Sequence, residues 1–505
     1  MKKYIFLLAL GFTASVAQSQ EIADAMRYAQ DNLNGTARFR AMSGAFGALG
    51  GDLSSINVNP AGSAVFTNNQ MALTLTNFDT KNKSTYFGST ASEKNNSFDL
   101  NQAGAVFVFN NRNPNSNWKK ISLAVNYENI TNFDNGFFSA GTNPNNSVDN
   151  YFLAYANGIP LNVIQNSNFE DLDHRGQQAF LGYEGYIINP VDENNPNNTQ
   201  YTSNVPAGGN YYHENTLISN GYNGKLSFNA ATSFKDKLYL GINLNSHFTD
   251  YRQSSNFYEE NDNANTNIID LVNATFDNNL YTYGTGFSFQ LGAIAKVTDE
   301  VRLGLAYESP TWYHLNDELN QNIVTNIYDY NTSANPSLTS VNPDSNYTII
   351  YEPYKLQTPS KLTGSFAYGF GKSGLMSVDE AIKDYRNTKF KPENDPYFND
   401  LNSDMNSILD TTGELRIGAE YKIEALSLRA GYRYEQSPYK NAVTIGDLTG
   451  YSAGLGYNFG STKVDLAYSY AKRNSQQGFF NQGFTDGASI EAINNNVSVT
   501  LLFEL

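Results

Sequence analysis

The sequence predicts an all-β fold: an antiparallel transmembrane β-barrel of about 14 strands with an N-terminal hatch, or plug, inside its lumen. Three observations lead there. Between Met71 and Leu505, stretches of roughly ten residues alternate apolar and polar side chains about fourteen times. The gaps between them are alternately short, as at Thr298-Asp299-Glu300, Gly371-Lys372, Glu424-Ala425 and Gly460-Ser461, and long, as near 131–223, 251–280, 313–358 and 386–411. The last segment sets Val497, Val499, Leu501, Phe503 and Leu505 on one face, an aromatic-bearing strand suited to closing a sheet on itself. A soluble sandwich has no reason to send every long loop to one side; an outer-membrane barrel does.

Composition narrows the class further. Over 505 residues the mean hydropathy is -0.47, and beyond the first dozen residues no apolar run nears the roughly 18 that a membrane helix needs. Tyr 35 and Phe 32 against Trp 2 suit half-buried pleated surfaces and aromatic girdles at the headgroup levels. With Cys 0 there is no disulfide, thiol chemistry or cysteine metal site. A net charge of -16 argues against nucleic acid and anionic surfaces as partners, and its expected source is acidic, Asn-rich loops.

Met1-Lys2-Lys3, the apolar stretch Tyr4 to Phe12 and the small residues Ser15-Val16-Ala17 have the layout of a secretory signal, assigned to residues 1–19. No cysteine follows for lipid attachment, so the exported barrel is expected in a bacterial outer membrane. Residues 20–66 form the expected hatch and 67–505 the barrel, whose largest loop spans about 131–223. An even strand number returns both termini to the periplasmic side.

Parity assigns the faces of the wall. Leu415, Ile417, Ala419 and Tyr421 alternate with Arg416, Gly418, Glu420 and Lys422, while Leu428, Ala430, Tyr432 and Tyr434 alternate with Arg429, Gly431, Arg433 and Glu435. The apolar sets face lipid, so the lumen carries mixed charge. Val301, Leu303, Leu305 and Tyr307 stand likewise opposite Arg302, Gly304, Ala306 and Glu308. One reading is a salt-bridge network that stiffens the wall, because buried charges persist when paired. The other is that one or two of Arg302, Arg416, Arg429 and Arg433 meet a substrate carboxylate.

A barrel this wide needs something in its lumen, since about eight strands already fill themselves with side chains. Ile22, Ala25, Met26, Ala29 and Leu33 fall at helical spacing, and the small-residue run from Gly35 to Asp52 lets backbone pack closely against a wall. In Asn59-Pro60-Ala61-Gly62, Pro60 fixes φ, Asn59 can bond nearby backbone, and Ala61 and Gly62 remove bulk, which makes a stiff, narrow turn.

With Arg40-Ala41, Ser43-Gly44-Ala45, Gly51-Asp52 and Asn59-Pro60-Ala61 ahead of a fourteen-strand pattern, the chain resembles the FadL-type outer-membrane transport family, carriers of long-chain fatty acids or aromatic hydrocarbons. The resemblance implies a hatch in which Asn59, Pro60, Ala61 and Gly62 serve gating, with Arg40 and Asp52 as lesser candidates. It also implies loop capture of an apolar ligand, lumen binding and hatch-gated release, with sideways exit at a kinked strand. The third strand loses its alternation at Asn126 to Asn129, the expected place for that opening. The very long stretch after that strand and the Asn-rich loops depart from the better-known members. Within that stretch, Tyr151 to Tyr155 and Ala179 to Tyr183 either capture ligand or pack the loop's own core.

Enzyme chemistry finds little purchase. Of His 4, His247 faces the lumen by parity and His174, His213 and His314 are expected in loops. There is no Gly-x-Ser-x-Gly elbow, no His-Glu-x-x-His and no phosphate-cradling loop. The acidic tracts at Glu259 to Asp262 and Asp395 to Asp404 lack EF-hand spacing. No cofactor or metal is expected. The expected partners are hydrophobic small molecules and outer-membrane lipid, and the expected state is a monomer. The alternative is a general diffusion porin or a structural or adhesive barrel.

Overall fold

The computed structural model describes residues 20–264, 268–330, 336–371 and 373–505. The signal peptide assigned to 1–19 lies outside the described residues. Fourteen antiparallel strands close into a barrel: β1 Gln70–Tyr86, β2 Ser89–Asn110, β3 Trp118–Asn132, β4 Tyr211–Phe234, β5 Leu238–Glu260, β6 Ile269–Lys296, β7 Val301–Glu308 continued by Trp312–Asp329, β8 Tyr354–Gln357 continued by Lys361–Gly369, β9 Gly374–Asp384, β10 Thr411–Ile423, β11 Leu426–Glu435, β12 Ile445–Asn458, β13 Thr462–Gly478 and β14 Gly487–Glu504. Closure is made by β1 on β14, from Gln70↔Glu504 to Thr85↔Ser489. Sheet closure leaves no edge strand to be satisfied in lipid.

The alternation read from sequence is the alternation of the wall. Leu303, Leu305, Tyr421, Tyr451, Leu455 and Tyr468 are exposed on the outer face, while Arg416, Glu420, Arg429, Arg433 and Asp465 are buried inward. No helix among the described residues is long and apolar enough to cross a membrane.

The strands run further than the apolar alternation does. β4 pairs with β5 without interruption from Tyr212↔Glu260 to Phe234↔Leu238, far beyond the roughly ten residues that cross a bilayer. Past the bilayer both faces meet water or loop, so alternation fades although the ladder continues. Much of 251–280 and 313–358 is therefore strand. Within 131–223, Asn135–Asn143 pairs with β4, and the intervening chain carries helices α3 Asp149–Ala156, α4 Leu161–Asn166 and α5 His174–Glu184. For the same reason His213 and His314, expected in loops, stand in strands β4 and β7.

These helices cap the long-loop end of the barrel. Tyr151, Phe152, Ala179 and Leu181 are buried with Phe257, Phe276, Ile323 and Phe484. The two apolar runs of the long loop thus pack its core. His213 Nε2 lies 2.8 Å from a Glu259 carboxylate oxygen, and its Nδ1 lies 2.8 Å from Tyr86 Oη. Val148 N–H donates to Glu259 at 2.8 Å, so one buried polar knot ties the cap to β1, β4 and β5.

Candidate functional site

Residues 20–66 occupy the lumen as a chain of short helical turns: α1 Ile22–Ala29, α2 Ala37–Ala41 and 3-10 turns at Leu53–Asn57 and Pro60–Val65. Short turns suit this run because its Gly and Ala residues allow frequent reversals but form no long hydrophobic stripe.

From Gly35 onward the backbone of this segment is bonded to the wall. Ala37 N–H donates to Thr500 Oγ1 at 2.7 Å, Ser43 N–H to Ser452 Oγ at 3.1 Å and Gly47 N–H to Asp379 Oδ2 at 2.8 Å. Wall amides answer from the other side: Asn229 Nδ2 donates to Pro60 O at 2.9 Å, Asn243 Nδ2 to Ile56 O at 2.8 Å and Gln290 Nε2 to Asn57 O at 2.9 Å. Backbone that forms no regular ladder must find such partners when buried.

The Asn59-Pro60-Ala61-Gly62 turn lies close against the wall. Asn59 caps the turn by accepting from Ala61 N–H at 3.1 Å, and its Nδ2 bridges Gly47 O at 2.7 Å and Ala293 O at 3.0 Å. One amide thereby links two turns of the segment to β6. The wall makes room with glycine: a Cβ on Gly292 would stand 2.0 Å from Asn59 Oδ1, and one on Gly241 2.4 Å from the Pro60 carbonyl carbon. Gly62 O accepts from Gly51 N–H at 3.1 Å.

Asp52 and Arg40 are both buried. Asp52 accepts from Thr36 Oγ1 at 2.8 Å and from Ser54 N–H at 2.9 Å, an internal clasp between α2 and the following turn. Arg40 donates to Asn34 Oδ1 at 3.2 Å and Ser469 Oγ at 3.1 Å, with its guanidinium 5.5 Å from the centre of the Phe78 ring.

The four candidate lumen arginines are all engaged. Arg302 donates to Leu49 O at 2.8 Å. Arg416 pairs with Glu414 and Arg433 with Glu435 at 2.8 Å, while Arg429 bridges Asp465 and Glu420, 2.7 Å from the latter. Glu420 also receives Arg38 of α2 at 2.8 Å. These charges form a network across β10, β11 and β13 that reaches into the plug, as the salt-bridge reading expects.

Before Gly35, sequence reasoning read the helix but not what it meets. The apolar face of α1, with Ala25, Met26, Tyr28 and Ala29 buried, packs among Tyr251, Tyr313, Leu315, Leu356, Phe390 and Phe398. Arg27 lies over the Tyr251 ring at 3.8 Å. After the helix, Asp31 meets Lys361 Nζ at 2.7 Å and Lys383 Nζ at 3.1 Å. Burial works to raise the Asp31 carboxyl, but the two lysines prevail and hold it well below the usual carboxylate range. Helical spacing foretold α1, whereas only inward parity marks the lysines and nothing in the sequence joins them to Asp31.

The free space is divided. One cavity of about 110 Å³ is lined by Asn34, Phe78, Arg433, Ser469 and Asn496; a second of about 100 Å³ by Tyr28, Asp31, Lys225, His247 and Lys361; a third of about 20 Å³ by Gln30, Asp31, Lys383 and Arg473. His247 is buried on Ser288 Oγ at 2.9 Å.

The ladders shift register at several places, among them Thr74/Leu75, Asn326/Ile327 and Ile445/Leu448, and between β2 and β3 the ladder itself ends early. The β2–β3 ladder stops at Gln102↔Glu128, and β3 slips register against β4 between Asn129 and Thr131. Beyond it, side chains replace the ladder, with Asn129 Nδ2 donating to Asp99 Oδ2 at 2.6 Å and Asn132 Nδ2 to Ser97 Oγ at 3.2 Å.

Residues 405–500 match the family described as outer membrane protein transport protein (OMPP1/FadL/TodX). The structure resembles that of a Pseudomonas aeruginosa FadL homologue, at 15% identity and TM-score 0.54 over 94% of this chain and 99% of that one. It also resembles the P. putida toluene transporter TodX, at 14% identity and TM-score 0.50 over 94% and 99%. No curated protein matches the sequence. The chain therefore has the FadL/TodX-type barrel fold, and its last strands carry that family's sequence pattern.

Proposed function

We propose that this protein carries hydrophobic small molecules, long-chain fatty acids among them, across a bacterial outer membrane by loop capture, lumen binding and hatch-gated release. The observation that carries the reading is the plug. A closed barrel of this strand number would hold a water channel, and residues 20–66 divide that space into cavities such as those of about 110, 100 and 20 Å³. A general porin has no use for such an obstruction, nor has an adhesin.

Gating falls to the segment around Asn59, Pro60, Ala61 and Gly62, with Arg40 and Asp52 holding its turns together. A ligand moves such a plug only by binding better to its displaced state. Release is needed, because burying an acyl chain stabilises it by about 0.8 kcal/mol per methylene, which would trap a long one. The ladder break between β2 and β3 supports sideways exit there, near the Asn126 to Asn129 region. In this reading the short-turn end, where β1 begins and β14 ends, is periplasmic, and the protein works as a monomer without cofactor, metal or catalytic step.

Mass spectrometry of ligands extracted from protein purified in mild detergent tests it, comparing wild type with a variant lacking residues 35–62. Fatty acids or hydrocarbons enriched in the wild type and weakened in the deletion are expected. Bulk lipid alone in both, with steady ion conductance from both in planar bilayers, would establish the porin alternative.

A further inference from the structure

We propose that Asp31 is a built-in stand-in for a ligand carboxylate, and that Lys361 and Lys383 form the head-group site for an anionic amphiphile that enters by displacing α1. This rests on the reading that the chain carries hydrophobic small molecules, and it assigns that ligand a charge.

The wall itself asks for an anion at this spot. Lys361 and Lys383 are direct cross-strand partners in the β8–β9 ladder, and both side chains point inward. Like charges directly opposite each other destabilise a sheet pair. Asp31 resolves this by placing one carboxylate oxygen on each ammonium, at 2.7 and 3.1 Å. Glu414 lies at 3.5 Å from Lys361 and is shared with Arg416. Arg473 donates to Gln30 Oε1 at 2.5 Å and is shared with Glu435. Among these side chains Lys361, Lys383, Arg416 and Arg473 stand against Asp31, Glu414 and Glu435, so removing Asp31 leaves four cations facing two carboxylates.

The carboxylate that satisfies the lysines does not belong to the wall. It sits on the segment just past α1, whose apolar face fills an aromatic chamber under the cap. Apolar body and terminal carboxylate together have the chemistry of an anionic amphiphile. Lys383 Nζ also donates to Ala29 O at 2.6 Å, so the same ammonium holds the end of the helix. Asp31, Gln30, Lys361 and Lys383 all line both the cavity of about 100 Å³ and that of about 20 Å³, so the clamp stands between the two spaces. A ligand whose head took the lysines and whose chain took the place of Met26 and Tyr28 would free α1 and join the two spaces.

The test uses the full-length protein in lipid nanodiscs, titrated with dodecanoate and separately with dodecan-1-ol. Because the chain has Cys 0, a nitroxide on Ala23→Cys is a unique reporter of α1. Dodecanoate is expected to mobilise the label in the otherwise wild-type protein, and dodecan-1-ol to do so far less. Asp31→Asn should tighten dodecanoate about tenfold and leave dodecan-1-ol unchanged. Lys361→Met with Lys383→Met should weaken dodecanoate to the level of the alcohol. If both ligands bind alike, or Asp31→Asn shifts both equally, or the label stays immobile at saturation, the stand-in role is overturned while hydrophobic carriage stands. Binding of neither ligand would overturn both.

Discussion

The two halves of the luminal segment are held in different ways. Residues 35–66 are fixed by hydrogen bonds between their own backbone and the wall, by the close approach at Gly241 and Gly292, and by the Arg38–Glu420 pair. Residues 20–34 contact the wall mainly through side chains, an aromatic chamber around α1 and the Asp31 clamp, with one backbone carbonyl, Ala29 O, on Lys383. A part tied through many directional backbone bonds can move only as a unit. A helix held mainly by apolar contact and a carboxylate clamped between two lysines can be exchanged for another molecule offering the same two chemistries.

That contrast breaks most visibly at the charged wall. Arg429→Met strips Asp465 and part of Glu420 of their buried partner and is expected to cost about 3–5 kcal/mol, read as a lower urea midpoint for unfolding in lipid vesicles. Asn59→Ala removes the amide that joins Gly47 O, Ala293 O and Ala61 N–H; it should cost about 3 kcal/mol and raise ion leak in planar bilayers, with the label on Ala23→Cys unaffected. Gly292→Ala forces a Cβ against Asn59 and should cost about 1–3 kcal/mol with a smaller leak, which Asn59→Gly in the same chain should relieve in part. If these variants mobilise α1 instead of opening a leak, the two halves act as one body.

The smallest effect concerns pH. Burial and then Asp24 push the Glu21 carboxyl, at the start of α1, up to about 7 from 4.5. The folded chain therefore keeps a proton there that the unfolded chain has already lost, so this contribution to α1 docking is full below 4.5 and declines as pH rises through about 7. The nitroxide on Ala23→Cys should be more mobile at about pH 8 than at about pH 5. Glu21→Gln should flatten the profile; if it does not, another group governs the helix.

Legibility in the sequence followed the solvent. Where one face of a strand meets lipid and the other a polar lumen, the two-residue period is forced, and Leu303, Leu305, Tyr421 and Leu428 could be assigned outward from the chain alone. Beyond the bilayer that constraint lapses, which is why β4, β5 and β6 run on through stretches that read as loops. The Asn59-Pro60-Ala61-Gly62 turn was visible because its chemistry is local: a side-chain cap, a fixed φ and small residues.

The sequence by itself determined the strand number, the inward and outward faces and the presence of a plug before the barrel, since each follows from the period of residues close in the chain. Only the tertiary structure decided which carboxylate meets which cation, because Asp31 and Lys361 are 330 positions apart and come together through barrel closure. It likewise decided that the apolar runs of the long loop turn inward as a cap. Burial among Phe257, Phe276 and Phe484 depends on strands that lie side by side only once the sheet has closed.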